Sequence, residues 1–260
     1  MTETPSVKFS MLTDHIGELV VCNPARRNAL TAAMWASMPG ILDGAAKTPG
    51  LRVLVVRGEG EHFAAGADIS EFSTLYATPE TSEKISLDIA AAFAALAEFP
   101  APTIAMIRGS CVGGGCALSL CCDVRMADST GKFAITPAKL GLVYPFSDVQ
   151  RLIETVGIPN AKDLLLSARL IQAKAARKMG LINTLYKVDN LERGVMDYAE
   201  NLTTLSPQSL KVTKQMFAAY QGGQFGDNAQ TMEWFLSGFN SDDFQEGYSA
   251  FLEKRKPDFS

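Results

Sequence analysis

Short runs of apolar and β-branched residues alternate with longer helix-forming segments along most of this chain. The runs that predict β-strands end at proline, glycine or polar turns, and they lie at residues 19–22, 51–56, 103–107 and 123–127. Between them, residues 29–46 and 81–99 predict helices, and Asn28 is expected to cap the first of these. Strands that alternate with helices in this way predict an α/β fold.

A faint repeat indicates how these strands are organised. Residues 55–58 and 106–109 are both apolar runs that end in Arg-Gly, and each leads through a turn of small residues towards a helix. The helix after the second turn is expected to start within residues 117–120. We interpret the two runs as successive turns of a repeating strand–strand–helix unit.

The pattern becomes helical in the last third of the chain. Helices are predicted at residues 160–166, 173–179, 191–205, 207–220, 227–238 and 243–254. Many aromatic residues occur there, namely Phe225, Trp234, Phe235, Phe239, Tyr248 and Phe251. We expect these side chains to pack onto another subunit, with packing inside their own domain as the alternative. The prediction is a core at residues 1–200 followed by a helical C-terminal region at residues 201–260.

Composition narrows the class of protein. The chain has 260 residues, a net charge of −4 and 47% hydrophobic residues, which is ordinary for a globular enzyme and argues against nucleic acid as its main partner. No apolar run is long enough to span a bilayer, and residues 1–10 lack an apolar signal core. We therefore expect a cytoplasmic protein that has no membrane partner.

The cysteines and histidines do not form a recognisable metal motif. Five cysteines, none in a Cys-x-x-Cys pair, and two histidines outside any ligand-type cluster predict buried thiols and no metal site.

Two small-residue turns carry the most informative chemistry. Residues 63–69 and residues 112–116 each follow a strand-like run and precede a helix. Turns of this kind can direct two backbone N–H groups at one point, where they would stabilise an oxygen that takes on negative charge. Gly114 would allow the backbone to approach a ligand without a Cβ clash.

In order and spacing, the chain resembles the crotonase, or enoyl-CoA hydratase/isomerase, superfamily. The segments that carry the resemblance are Asn23-Pro24, Asn28-Ala29-Leu30, residues 63–69, Gly109 with residues 113–115, Gly141-Leu142 and residues 250–257. The resemblance implies a spiral of strand–strand–helix turns with a helical C-terminal trimerisation region, assembled as a homotrimer or a dimer of trimers. It also implies an acyl-CoA thioester as substrate and no further cofactor.

The same resemblance assigns roles to individual residues. It places the backbone N–H groups of Ala67 and Gly114 in an oxyanion hole that holds a thioester enolate. The positions that it assigns to CoA binding are Arg26, Ala65, Asp68, Ile69, Ser70 and Lys254. Alternatives remain: Arg26 and Lys254 can equally be solvated surface charges, and Asp68 can cap the helix that follows it.

The sequence departs from the family where hydratases and isomerases carry their catalytic carboxylates. The corresponding positions here are Ala117, Pro137 and Pro145, and none of these side chains can transfer a proton. Instead, residues 133–144 resemble the methylmalonyl-CoA decarboxylase branch, although that branch has a histidine at the position of Ala67. Loss of carbon dioxide from a malonyl-type ester forms the enolate directly, without a base. Decarboxylation of a short malonyl-type CoA ester is therefore the favoured hypothesis.

In that hypothesis Tyr144 hydrogen-bonds the substrate carboxylate and Thr136 lines the same pocket, with simple packing as the alternative for Tyr144. Two other functions stay open. One is an atypical hydratase or isomerase, which requires Asp148 or a substrate group to supply the proton and Asp148 to face the pocket. The other is a non-catalytic acyl-CoA-binding homologue. The identity of the acyl group depends on residues 70–81, which we expect to form a mobile loop.

Overall fold

The computed structural model describes residues 4–259 and contains a six-stranded main sheet. Its strands, in sheet order, are β1 (Ser6–Met11), β2 (Ile16–Cys22), β3 (Val53–Gly58), β4 (Thr103–Ile107), β6 (Val124–Asp128) and β9 (Thr184–Tyr186). The β1–β2 pair is antiparallel, and all later pairs are parallel. Parallel pairing requires long crossovers, and the helices of the chain provide them.

A small second sheet contains the second strands of the strand–strand–helix units. It consists of β5 (Ser110–Val112), β7 (Lys132–Ala134) and β8 (Ile171–Gln172), and an isolated bridge joins Ala64 to Cys111. The order β4, β5, helix and then β6, β7, helix confirms the predicted strand–strand–helix repeat.

The helices that follow these strands cover both faces of the main sheet. They are α1 (Ala32–Ala46), α2 (Phe72–Leu75), α3 (Pro79–Ala97), α4 (Gly114–Leu120), α5 (Phe146–Ser167), α6 (Ala173–Met179) and α7 (Leu191–Thr203). The larger core includes Trp35 of α1 and Phe93 of α3, and a smaller one joins Val195 of α7 to Val55 of β3. Because Val55 and Val56 point to opposite faces, one apolar strand serves both cores.

The predicted start of α1 was wrong. The helix begins at Ala32, and the Thr31 hydroxyl, not Asn28, accepts the hydrogen bond from the Met34 amide. Asn28 has a φ of 57° and is fully buried. Its amide donates to the carbonyls of Glu59 and His62, at 2.8 and 2.6 Å. Asn28 therefore connects two loops, which local sequence pattern cannot reveal.

Three other expectations need correction. Residues 70–81 contain α2 and the first residues of α3, because Thr78 caps α3 and Pro79 starts it. Helix α4 begins at Gly114, three residues before the expected start. The helix predicted at residues 160–166 is the second part of α5, which is interrupted at Gly157, where φ is 73°.

The C-terminal helices expose most of their aromatic side chains. They are α8 (Pro207–Gln221), α9 (Ala229–Ser237) and α10 (Asp242–Glu253). Phe225 and Phe251 are each 81% exposed, whereas Trp234 is half-buried in the chain itself. Within residues 4–259, no helix is both long and apolar enough to cross a membrane. All five cysteines are buried, and none of them forms a disulfide bond within residues 4–259.

Candidate active site

Residues 64–68 run between β5 and Leu30, which lies two residues before the start of α1. The Ala64 amide donates to the carbonyl of Ser110 at 2.9 Å. On the other side, the Leu30 amide donates to Gly66 at 2.7 Å, and the Leu30 carbonyl accepts from Asp68 at 2.8 Å. Because successive residues of extended backbone alternate in direction, the Ala67 N–H is directed away from Leu30.

A second turn brings the start of α4 against this segment. The Gly113 amide donates to Ala134 at 2.8 Å, and its φ of 55° belongs to the left-handed region. A Cβ added to Gly66, whose φ is 98°, would lie 3.2 Å from the Gly114 nitrogen. A Cβ added to Gly114 would lie 3.7 Å from the Ala67 nitrogen. The two turns are therefore in contact at the predicted oxyanion hole.

The N–H groups of Ala67 and Gly114 are both available to a ligand. Neither donates a hydrogen bond to any acceptor within residues 4–259. Gly114 is the first residue of α4, where backbone N–H groups lack intrahelical partners and carry partial positive charge. Two free amides beside each other are the arrangement that a developing oxyanion requires, and the role of this pair in catalysis remains a prediction.

Gly115 holds α4 against the Ala64 segment, and we predict that Gly115→Ala destabilises the protein. The added Cβ would lie 2.3 Å from the Ala64 carbonyl oxygen, so the backbone itself must move. We expect the free energy of unfolding to fall by about 1–3 kcal/mol or more, measured by urea denaturation. The control is Gly40→Ala in α1, where nothing other than its chain neighbours and the backbone of its own helix lies within 4 Å of the added Cβ. An equal effect of both substitutions would contradict this account of Gly115.

The hydroxyl group of Tyr144 is buried, and the side chain packs against the larger core. It has no hydrogen-bond partner among the described residues. Burial raises the pKa of Tyr144 well above its ordinary value, and the nearby Cys116 and Asp148 raise it further. The phenol is therefore a neutral hydrogen-bond donor at physiological pH. Thr136 is half-buried at the start of a short 3₁₀ turn and makes no side-chain cap bond there.

Asp148 brings a carboxylate into the same region. It lies in the first turn of α5 and is only 4% exposed. Its Oδ1 accepts a hydrogen bond from Arg151 at 3.1 Å. Burial raises the pKa of Asp148, although Arg151 acts in the opposite direction. The structure thus places Asp148 inside the protein, in a helix that packs against α4.

Three of the residues assigned to CoA binding form one cluster. Arg26 donates to the carboxylate of Asp68 at 2.8 Å and to the hydroxyl of Ser70 at 2.6 Å. Burial alone would raise the pKa of Asp68, but hydrogen bonds from Ser70 and the charge of Arg26 lower it. Asp68 also accepts from the Ser70 amide, so it caps the turn that follows. The Arg26 side chain remains 53% exposed and can reach a ligand.

The remaining assigned residues differ in position. Ala65 is half-buried, and Ile69 is 63% exposed beside the Arg26 cluster. Lys254 is exposed at the C-terminal end of α10, where its φ is 56°, and it makes no hydrogen bond or ion pair with the Arg26 cluster. Its assigned contact with CoA phosphates therefore remains a prediction.

A cavity of about 550 Å³ lies elsewhere, between the sheet and α7. Val55, Met106 and Val195 line it, and all three belong to or pack against the smaller core. Neither Ala67 nor Gly114 contributes to its lining, so it is separate from the oxyanion amides.

The fold and the paired amides define a class of enzymes that act on CoA thioesters, and similarity to known proteins gives the family. The family model for enoyl-CoA hydratase/isomerase matches residues 13–260. The 2,3-dehydroadipyl-CoA hydratase of Escherichia coli is 32% identical, with 93% of each chain covered. A peroxisomal Δ(3,5)-Δ(2,4)-dienoyl-CoA isomerase of Arabidopsis thaliana is 29% identical over 93% of this chain and 91% of its own.

A solved structure of an enoyl-CoA hydratase/isomerase family protein from Hyphomonas neptunium agrees. It superimposes with a TM-score of 0.94 at 38% identity, covering 98% of this chain and 97% of that one. The chain therefore belongs to the enoyl-CoA hydratase/isomerase family and has the crotonase fold. These relatives are named hydratases and isomerases, so they give no support to the expected decarboxylase branch.

Proposed function

We propose that this enzyme transfers a proton on an acyl-CoA thioester, as a hydratase or isomerase, with Asp148 as the proton-transferring group. The observation that carries the proposal is the buried carboxylate of Asp148 in α5, a helix that packs against α4, although the three usual acidic positions carry no acid. The hydratase and isomerase names of the relatives support the same reaction class.

The chemistry follows from the groups at the site. The amides of Ala67 and Gly114 would bind the thioester oxygen and stabilise the enolate that forms when a carbon-bound proton leaves. Asp148 would accept that proton, and its raised pKa brings it closer to the range in which a carboxyl group both takes and returns a proton near neutral pH. The Tyr144 phenol would donate a hydrogen bond in the same space.

A single carboxylate favours isomerisation over hydration. Moving a double bond needs one group that removes a proton from one carbon and returns it to another. Adding water needs one group to activate the water and another to supply the α-proton. Of the residues that we assign to the reaction itself, namely Ala67, Gly114, Thr136, Tyr144 and Asp148, Asp148 is the one with a carboxylate.

The test is a panel of CoA esters followed by mass spectrometry and chromatography. We expect 3-hexenoyl-CoA to become 2-hexenoyl-CoA, with slower addition of water to crotonyl-CoA. Malonyl-CoA and methylmalonyl-CoA are included as substrates for decarboxylation. Turnover of the malonyl esters alone would reject proton transfer by Asp148 as the main reaction.

Decarboxylation is the second candidate, and the unpartnered Tyr144 hydroxyl favours it. In this reaction the phenol would hold the departing carboxylate out of the thioester plane, while the two amides stabilise the enolate. We predict that Tyr144→Phe lowers any carbon dioxide release at least tenfold, because the donor that orients the carboxylate is lost. Release that continues at the wild-type rate in Tyr144→Phe would remove the reason for this candidate.

We also propose that the chain assembles as a homotrimer or a dimer of trimers through its C-terminal helices. The exposed aromatic side chains of α8–α10 support this, because such an apolar area is uncommon on a monomer. Light scattering after size exclusion should give a mass of about three or six chains. A monomer of 28.0 kDa would contradict the proposal.

A further inference from the structure

Asn28 has a backbone conformation that residues other than glycine adopt only rarely. Its φ of 57° lies in the left-handed region. Within residues 4–259, the other non-glycine residues with positive φ directly follow a helix or a 3₁₀ turn, where a left-handed residue is common; they are Arg27, Ala168 and Lys254. Asn28 does not directly follow such an element. A conformation of this kind persists only where the surrounding structure imposes it.

The side chain of Asn28 holds this conformation through buried hydrogen bonds. The residue is fully buried, and its amide group donates to the carbonyls of Glu59 and His62, as described above. Its Oδ1 accepts from the backbone amide of Asn23 at 2.9 Å. Glycine would adopt the same φ without strain but could form none of these bonds. The side chain therefore connects the turn around Asn28 to residues 59–62.

The turn around Asn28 is also hydrogen-bonded to residues 64–68. The Ala65 amide donates to the carbonyl of Arg27 at 3.0 Å, and Leu30 forms the two bonds described above. These three bonds lie on the edge of the segment opposite to β5. Residues 64–68 are thus positioned by β5 on one side and, on the other, by a turn whose conformation the Asn28 side chain holds.

The Gly114 amide is positioned by different contacts. Its turn lies between β5 and α4, and the Gly113 amide donates to Ala134 of β7. Within the described chain, no hydrogen bond joins residues 113–114 to residues 23–30. A movement of the turn around Asn28 would therefore displace Ala67 without an equal displacement of Gly114.

We propose that Asn28 is a positioning residue of the oxyanion hole, which sets the distance and direction of the Ala67 N–H relative to the Gly114 N–H. The inference rests on the proposed function, in which both amides bind the thioester oxygen. Hydrogen bonds weaken steeply with distance and angle, so displacement of Ala67 weakens stabilisation of the enolate. Binding of the rest of the ester does not depend on this geometry. Loss of the Asn28 side chain therefore lowers kcat far more than it weakens substrate binding.

Two substitutions of Asn28 and one control test this role. Asn28→Gly tolerates the left-handed φ and removes the side-chain bonds. Asn28→Asp keeps the acceptor for the Asn23 amide and lacks the N–H donors. The control is Thr103→Val in β4, because the buried Thr103 hydroxyl donates to Asp123 at 2.9 Å and neither residue is hydrogen-bonded to residues 64–68. This control loses a buried hydrogen bond of the fold without changing the support of Ala67.

The readout is the infrared stretch of the thioester carbonyl in bound butyryl-CoA, identified by comparing ester labelled with carbon-13 at that carbonyl with unlabelled ester. Hydrogen bonds from two amides move this stretch to lower frequency than in the free ester. We expect the wild type and Thr103→Val to show the full shift, and both Asn28 variants to lose at least about half of it. Calorimetry should give Kd values for butyryl-CoA within about threefold of the wild type. The rate of exchange of its α-protons for deuterium should fall by about 10- to 100-fold in the Asn28 variants.

The outcomes separate this inference from the proposed function. A full carbonyl shift in folded Asn28→Gly overturns the positioning role. An equal loss of the shift in Thr103→Val overturns it as well, because general destabilisation would then explain the effect. A wild-type protein that binds butyryl-CoA without any shift contradicts the oxyanion pair itself, and failure to bind the ester contradicts the acyl-CoA function. If one Asn28 variant does not fold, the other decides.

Discussion

Ala67→Pro should reduce kcat on the best acyl-CoA substrate by about 10²- to 10³-fold, because it removes one of the two amide donors to the enolate oxygen. The Ala67 N–H makes no hydrogen bond to the described part of the chain, so proline at this position removes no native hydrogen bond. Removing the Ala67 N–H therefore breaks neither the hydrogen bond from Leu30 to Gly66 nor the one from Asp68 to Leu30. Steady-state kinetics at saturating substrate measures the effect.

The matched control for this substitution is Ala67→Gly, which changes the side chain and keeps the N–H. We expect this variant to retain most of the activity and to unfold at a temperature near that of the wild type. Ala67→Pro must also show a folded circular dichroism spectrum for the comparison to hold. A folded Ala67→Pro enzyme with unchanged kcat would show that the Ala67 amide has no part in catalysis.

Asp148→Asn should lower kcat by about 10²- to 10⁴-fold, the range associated with loss of a general acid or base. Asparagine preserves the size of the side chain and cannot accept the substrate proton. In the wild type, kcat should increase with pH as Asp148 ionises. This increase should occur at a pH above the ordinary pKa of aspartate, because burial raises the pKa of Asp148. In Asp148→Asn, kcat should not show this increase with pH.

The control is Glu154→Gln, an exposed position of the same helix. It should have little effect on kcat. Wild-type activity in Asp148→Asn, with an unchanged pH profile, would exclude Asp148 as the proton-transferring group.

The raised pKa of Asp148 also predicts how stability depends on pH. The folded protein retains the proton to a higher pH than the unfolded chain, whose aspartate titrates near 3.8. The stability that the protonated form contributes is therefore lost as pH rises through the raised pKa. Asparagine does not titrate, so Asp148→Asn does not lose stability in this way as pH rises. The free energy of unfolding of Asp148→Asn relative to the wild type should increase across that pH window, as measured by urea denaturation.

The repeat was readable in the sequence because its strands are local apolar runs that end at glycine or proline turns. Arg57-Gly58 and Arg108-Gly109 mark equivalent strand ends, and the structure places them in neighbouring parallel strands or immediately after them. The start of α1 was not readable. Asparagine commonly caps helices, but the side-chain amide of Asn28 donates to backbone carbonyls more than 30 positions away. Only the tertiary fold determines whether Asn28 caps the helix or bonds to these distant residues.

Some residues of the candidate site could likewise be identified from the sequence, and others could not. Gly114 could be identified because close backbone approach requires glycine, and the structure brings its turn into contact with the one that contains Gly66. Trp35, whose ring lies 3.3 Å from the position that a Cβ on Gly114 would occupy, could not be identified, because its spacing in α1 matches an ordinary core residue. This contact arises from packing between a helix and a distant turn. Asp148 stayed an open alternative, because sequence does not reveal which face of α5 is buried.

The most direct test of the central claim is exchange of the α-protons of butyryl-CoA in deuterated water, followed by mass spectrometry. Butyryl-CoA has no double bond or carboxylate, so exchange reports enolate formation alone. We predict that the wild type incorporates deuterium and that Ala67→Pro and Asp148→Asn each lose this activity. Tight binding of butyryl-CoA without any exchange would contradict the account, and it would indicate an acyl-CoA-binding protein without proton-transfer chemistry or an enzyme that forms its enolate by decarboxylation.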